Sequence, residues 1–385
     1  MALQRSGVRS PSAPPPVKKK APFGAPFLSL RHRTSLAIHR AAPDMVVMVP
    51  FSILDLAPVS EGSDAGDALR NAVSLAKAGE ALGYRRFWMA EHHSMPGIAS
   101  AATAVALCHV AGGTDHIRIG AGGIMLPNHS PLQIAEQFGT LEALFPGRID
   151  LGLGRAPGTD QAAAYAMRRN LSADVSHFPR DVLELQAYFA PADPARRVRA
   201  IPGEGLQVPL WILGSSLYGA ELAAELGLPY AFASHFAPQQ MMDAIALYRA
   251  RFKPSAQLAA PYVMLGFNVF AADSDFEGEL LATSLMQAFV ALRSGNPGKL
   301  KPPLAGYADS LPFEFRAMLS AVLSCSAIGA PATVKAATEA FVARTGADEL
   351  MVTSQIFDHR ARLRSYECLA GAFAEIDASA AMVPA

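Results

Sequence analysis

Cysteine is scarce in this chain: Cys108, Cys325 and Cys368 are all it has, odd in number and far apart. That excludes a disulfide framework and the paired spacing of a zinc module, so a reducing compartment, and with it a cytoplasmic location, is the expectation. Charge is also sparse, at 17% of residues with a formal net of +0. A balance of this kind gives nucleic acid or an anionic membrane no electrostatic hold. No apolar run approaches the ~18 residues that a membrane-spanning helix needs, so no span is expected. Acidic residues are missing altogether before Asp44, where the chain instead has Lys18-Lys19-Lys20, five arginines and a proline patch from Pro11 to Pro16.

That leader, residues 1–44, has the basic, acid-poor composition of an organellar transit peptide. The plainer reading is an upstream-start extension, with Met45 or Met48 as the working start, because foldable sequence begins right after Met45. In either case it is expected to be disordered, and 376–385 is set apart as a C-terminal tail. In a chain that is 51% hydrophobic overall, the intervening 45–375 is long enough for one large α/β domain.

Along that domain, apolar strand-like runs alternate with helical patterns. Strands are expected at 46–55, 86–90, 117–126, 147–155, 209–214, 229–234, 261–271 and 349–353. Helices fall between them, for example at 65–82, which closes on Gly83, and at 218–226, which closes on Gly227. About eight βα repeats call for a parallel sheet, and eight is the number that closes a barrel. The expected fold is a (β/α)8 TIM barrel with an excursion after strand four and extra helical material before strand eight. An open doubly wound sheet is the alternative, but no break in composition divides the chain into halves.

In such a barrel function sits at the carboxyl ends of the strands. Those ends read Asp55, Glu91-His92-His93, Asn128-His129, Arg155, Gly214-Ser215-Ser216 and Ser234-His235-Phe236, a polar set for so apolar a chain. Arg155 follows a strand, Ile149 to Leu153, that reads as buried on both faces. Its planar fork suits a phosphate, against the bland reading of a surface arginine. Gly214-Ser215-Ser216 joins an apolar strand to a helix. Glycine lets backbone approach a ligand, and hydroxyls and free first-turn amides suit an anion. Plain N-capping by Ser215 or Ser216 is the competing account. The glycines at 152, 154 and 158 do not make a dinucleotide site: the spacing is Gly-x-Gly-x-x-x-Gly, and Pro157-Gly158 prevents a helix from starting at once. Of the consecutive histidines, whose side chains diverge after a strand, His92 is the candidate for moving protons. No metal site is expected, because no further ligands stand at zinc spacing.

Taken in order, Phe51 to Pro58, Phe87 to His93, Ile119 to Pro131, Gly147 to Arg155, Ile212 to Ser216 and Gly227 to Phe236 resemble the bacterial luciferase-like family of flavin-dependent monooxygenases. The resemblance spans about residues 46–370. It implies FMN at the carboxyl face of the barrel, with Arg155, Gly214, Ser215 and the position of Tyr218 at the phosphate. Tyr218 departs from the luciferases, where a smaller hydroxyl residue stands. Glu91, Gly122, Gly123 and Asn128 would line the isoalloxazine, with a non-prolyl cis peptide at Gly122–Gly123, and His92 matches a histidine of flavin–oxygen chemistry. The implied reaction takes reduced FMN from a separate flavin reductase as transient partner. With O2 it oxygenates a small, apolar organic substrate through a C4a-peroxyflavin. The resemblance also implies a homodimer formed through barrel helices. Two rivals share the fold: a deazaflavin-dependent dehydrogenase, and a flavin-binding protein without turnover.

Overall fold

In the computed structural model the described residues are 49–155, 166–167 and 177–380; for 375–380 only the backbone is considered. The leader 1–44, residues 381–385 and nearly all of the expected excursion after Arg155 lie outside them.

Nine strands form one parallel sheet: β1 (Phe51–Asp55), β2 (Arg86–Met89), β3 (Arg118–Met125), β4 (Ile149–Gly154), β5 (Leu210–Gly214), β6 (Tyr230–Phe232), β7 (Val263–Ala271), β8 (Ser326–Gly329) and β9 (Glu349–Thr353). Strands β1 to β7 pair with their sequence neighbours, and β9 joins β7 to β1. The sheet therefore closes on eight strands, as expected. β8 lies outside the closed ring. β7 is nine residues long; its first part pairs with β6, while Asn268–Ala271 runs on past the ring and takes β8 alongside. Four residues that begin with serine and end with glycine carry no periodicity, so this strand has no signature in the sequence.

The helices are α1 (Ala65–Ala81), α2 (Thr103–Ala111), α3 (Pro131–Leu144), α4 (Phe178–Phe189), α5 (Leu217–Leu226), α6 (Met241–Arg251), α7 (Asp275–Arg293), α8 (Phe313–Val322), α9 (Pro331–Thr345) and α10 (His359–Ala380). Local chemistry sets their ends. At α1, Asp64 accepts from the Asp67 amide at 2.8 Å and Asp67 accepts in return from the Asp64 amide, a reciprocal capping box. Ala68, Ala72, Leu75 and Ala76 then turn one face of α1 inward.

Strand alternation separates two apolar layers. Ile53, Phe87, Ile119, Leu151, Ile212 and Val352 face the helices. Leu54, Trp88, Trp211, Met264 and Met351 pack together in the barrel interior, where the two indoles meet edge to face at 5.1 Å. Below them, at the amino end, lies a closed polar floor. Arg86 pairs with Asp150 at 2.6 Å and Glu349 at 2.9 Å, Arg118 also grips Asp150 at 2.6 Å, and Tyr262 donates to Glu349 at 2.7 Å. These buried charges answer one another, as burial requires. Nothing there is left for a ligand.

Candidate active site at the barrel mouth

The carboxyl end is built differently. Asp55 proves not to belong to it: the side chain turns outward and takes Arg362 of α10 at 2.7 Å, with both residues buried. Each residue chosen as a site candidate does sit at or just past a strand end. Glu91 and His92 follow β2, Gly122 and Gly123 lie in the upper part of β3, and Asn128 ends a short 3-10 turn, Leu126–Asn128, after it. Arg155 follows β4, Gly214 ends β5, and Ser215 and Tyr218 open α5. The Gly122–Gly123 peptide is cis, as the resemblance implied. A side chain is barred by backbone at Gly123 and would crowd its neighbours at Gly122. A Cβ on Gly122 would stand 3.0 Å from both Leu54 and Trp88, and one on Gly123 would stand 2.8 Å from the Gly152 carbonyl oxygen.

Glu91 is the organising carboxylate. It is 2% exposed. Its Oε1 meets His93 Nε2 at 2.6 Å and His129 Nε2 at 2.7 Å, and its Oε2 accepts the Met125 amide at 2.8 Å. Burial pushes its pKa up, but the contacts with His129, then His93, then the Met125 amide outweigh it and hold the carboxyl below its usual value. Three atoms of Glu91, His93 and His129 lie within 4.8 Å of one another, close enough to suggest a metal cage. The separations argue for hydrogen bonds. Two ligands on a tetrahedral ion with bonds of about 2.0–2.1 Å sit roughly 3.3 Å apart, well beyond the contacts found here. Glu91 therefore ties the β2 and β3 loops together through two imidazoles. His129 was the partner the sequence did not reveal, because it lies 38 residues away and carries no spacing signal.

His92, beside Glu91 in the chain, makes no hydrogen bond to it. Burial, and secondarily His93, lower its pKa, while Glu91 opposes. It interacts across the mouth with His235, whose pKa burial, and then His92, bring down to about 4. The His235 ring packs on Phe236 at 5.0 Å, and its Nδ1 is buried without a partner. It lies against the backbone of Gly266, where a Cβ would come within 2.1 Å of that nitrogen. Asn268 Nδ2 donates to the His235 carbonyl at 2.8 Å and fixes the loop. His235 stood among the polar strand ends in the sequence, but that His92 would bear on its charge was not legible there.

The third corner is the β4–β5 edge. The Arg155 guanidinium carbon lies 4.0 Å from the centroid of the Tyr218 ring. Among the described residues Arg155 has no ion pair or hydrogen bond, in contrast to Arg86 and Arg118 on the floor. Ser216 is the N-cap residue of α5, yet its side chain makes no capping bond. The plain capping account of Gly214-Ser215-Ser216 therefore fails for Ser216. The turn keeps its hydroxyl and first-turn amides available beside an unspent arginine.

Across the mouth, the loop after α7 docks on the β1–α1 loop. Leu300 exchanges backbone hydrogen bonds with Val59 and Glu61 at 2.9 and 2.8 Å, and Lys299 Nζ donates to the Ser63 carbonyl at 2.7 Å. This segment is thus tied down over one side of the opening.

The family model for luciferase-like monooxygenases matches residues 49–349. This chain belongs to that family. It is 53% identical over 319 residues to a luciferase-like monooxygenase of Escherichia coli K12, covering 83% of this chain and 95% of that one. It is 35% identical over 260 residues to the N-acetyl-S-alkylcysteine monooxygenase of Bacillus subtilis 168, covering 64% and 75%. Among solved structures, apo-MsnO8 superposes with a TM-score of 0.75 at 35% identity, covering 85% of this chain and 98% of that one. Fold alone is shared with two others. One is the oxygenating constituent of 3,6-diketocamphane monooxygenase from Pseudomonas putida, in complex with FMN (17% identity, TM-score 0.63, coverage 84% and 96%). The other is a coenzyme F420 dependent tetrahydromethanopterin reductase from Methanopyrus kandleri (17%, 0.59, 84% and 97%). The family is that of the luciferase-like flavin-dependent monooxygenases, and its structural neighbours include both FMN- and F420-dependent proteins. No helix among the described residues is long and apolar enough to cross a membrane.

Proposed function

We propose that this chain is the oxygenating component of a two-component flavin monooxygenase. It takes reduced FMN from a separate reductase and, with O2, oxygenates a small, apolar organic substrate. The observation that carries this reading is Arg155, without an ion pair or hydrogen bond among the described residues, at the carboxyl mouth with the Ser215–Ser216 turn, where Ser216 makes no capping bond. That combination fits the terminal phosphate of FMN: an arginine fork with free donors, two hydroxyls and a helix N-terminus.

With FMN bound, Arg155, Gly214 and Ser215 would hold the phosphate, and the flavin would supply the electrons for oxygen transfer. The β2–β3 side, with Glu91, Gly122, Gly123 and Asn128, would face the ring system. There Glu91 keeps both loops in place through His93, His129 and the Met125 amide. His92 remains neutral to lower pH than a free histidine, so its imidazole can accept a proton from a reacting group and return it. Leu54, Trp88 and Trp211 below the mouth keep water out of the barrel. Several relatives are named as monooxygenases, and one acts by name on N-acetyl-S-alkylcysteine, so thioethers of that kind belong in a first substrate screen. The test is anaerobic binding of reduced FMN, oxidised FMN, riboflavin and the deazaflavin. Tight binding of reduced FMN with a clear preference over riboflavin is expected. Selective binding of the deazaflavin would replace oxygenation with hydride transfer.

A further inference from the structure

Tyr218 stands where the luciferases have a smaller hydroxyl residue, and a direct hydrogen bond from its phenol to the phosphate would be the simplest carry-over. The geometry offers something else. The guanidinium of Arg155 lies over the ring face at 4.0 Å, well inside the ~6 Å within which such contacts are attractive. Stacking uses the face of the guanidinium. Hydrogen bonding to an oxyanion uses its edge, so one arginine can do both at once. The ring itself is held: Tyr218 is partly buried against the core between sheet and helices and is the second residue of α5, two positions after the N-cap Ser216. Arg155 has no other anchor among the described residues, so an unstacked side chain would lose rotamer freedom at the moment of binding.

We propose that Tyr218 is a positioning residue for the flavin phosphate: its ring face, not its hydroxyl, presents the Arg155 fork to the Ser215–Ser216 turn. The proposal rests on the FMN reading and specifies how that site recognises a phosphate monoester. A bare arginine would have to be ordered by the ligand; a stacked one is ordered beforehand, which favours FMN over riboflavin.

The experiment measures dissociation constants of FMN and riboflavin for the full chain and for Tyr218→Phe, Tyr218→Leu, Arg155→Ala and the Tyr218→Leu/Arg155→Ala double variant, with thermal melts to verify folding. Tyr218→Phe should keep the wild-type FMN-to-riboflavin preference within about twofold, since the ring face is retained. Tyr218→Leu should cut that preference by about 3- to 30-fold while leaving riboflavin affinity unchanged. In the Arg155→Ala background, Tyr218→Leu should have no further effect. The proposal is overturned if Tyr218→Phe loses as much as Tyr218→Leu, which would make the hydroxyl the working group. An undiminished preference in Tyr218→Leu, or an equal loss with and without Arg155, would also overturn it. A wild-type chain that does not prefer FMN to riboflavin defeats the phosphate-site reading itself, a result separate from any of the variant outcomes.

Discussion

Removing the Glu91 carboxylate is the sharpest structural perturbation available at the mouth. Glu91→Ala leaves the Met125 amide, now bonded at 2.8 Å, without a partner in a buried setting. One hydrogen bond to a charged acceptor is worth about 1.5–3 kcal/mol. The contacts from His93 and His129 are charge-assisted but lie at side chains 23% and 22% exposed, so water replaces part of each. Roughly 0.5–1 kcal/mol apiece is reasonable there. The expected cost of Glu91→Ala is therefore about 3–5 kcal/mol. Glu91→Gln keeps the shape and one carbonyl oxygen for the Met125 amide, and its NH2 can donate to an imidazole that shifts tautomer. That variant should lose only about 1 kcal/mol. Urea midpoints at pH 7.5, taken with equal m-values, measure both. A chelator should leave the wild-type midpoint unmoved, because hydrogen bonds and not an ion hold the cluster. Equal losses for Ala and Gln, losses under about 0.5 kcal/mol for both, or a chelator-induced drop would refute this account of the cluster.

Other expectations follow from single contacts. Arg155→Ala should weaken FMN binding by about 1–3 kcal/mol and leave riboflavin unaffected, as fluorescence titration would record; unchanged FMN affinity would remove Arg155 from the phosphate site. Gly266→Ala would put a Cβ 2.1 Å from His235 Nδ1, so the ring must move. A loss of about 1–3 kcal/mol in unfolding free energy is expected, and an unperturbed midpoint would contradict the tight fit. His235 titrates near pH 4 when folded and near 6.5 when unfolded, so the unfolded chain binds the extra proton between those values. Its contribution to stability is full above pH 6.5 and is lost as pH falls toward 4. Glu91, with a lowered pKa, adds a loss of the same sign below about pH 4.5. Urea midpoints from pH 4.5 to 7.5 should rise with pH, less steeply in His235→Asn; a flat or falling profile in the wild type would contradict the assignment.

The barrel was legible because its determinants are local and repeated. Buried strands such as Ile149 to Leu153 announce themselves by apolar residues on both faces, and α1 by its spacing and its Asp64 cap. The strand ends were legible in the same way, since a polar residue after a buried run is conspicuous. What was hidden depends on pairing across long sequence distances. Arg362 lies 307 residues from Asp55, so nothing near β1 indicated that this strand-end carboxylate faces away from the mouth. His129 meets Glu91 only because the ring closes. β8 escaped notice for the opposite reason: at four residues it has too little pattern, and the overhang of β7 supplies its place. The stacking of Arg155 on Tyr218 was hidden too, because a tyrosine after Ser216 reads as a substituted hydroxyl residue until its ring is seen beneath the guanidinium.

The central claim is that this mouth binds reduced FMN and directs its reaction with oxygen. The most direct measurement loads the full chain with reduced FMN anaerobically, mixes it with oxygenated buffer in a stopped-flow spectrometer and follows the flavin spectrum. The account predicts reoxidation through a spectrum distinct from both reduced and oxidised FMN, persisting longer than with free FMN and altered in His92→Ala. Reoxidation as fast and featureless as that of free FMN, or failure to bind reduced FMN at all, would contradict it.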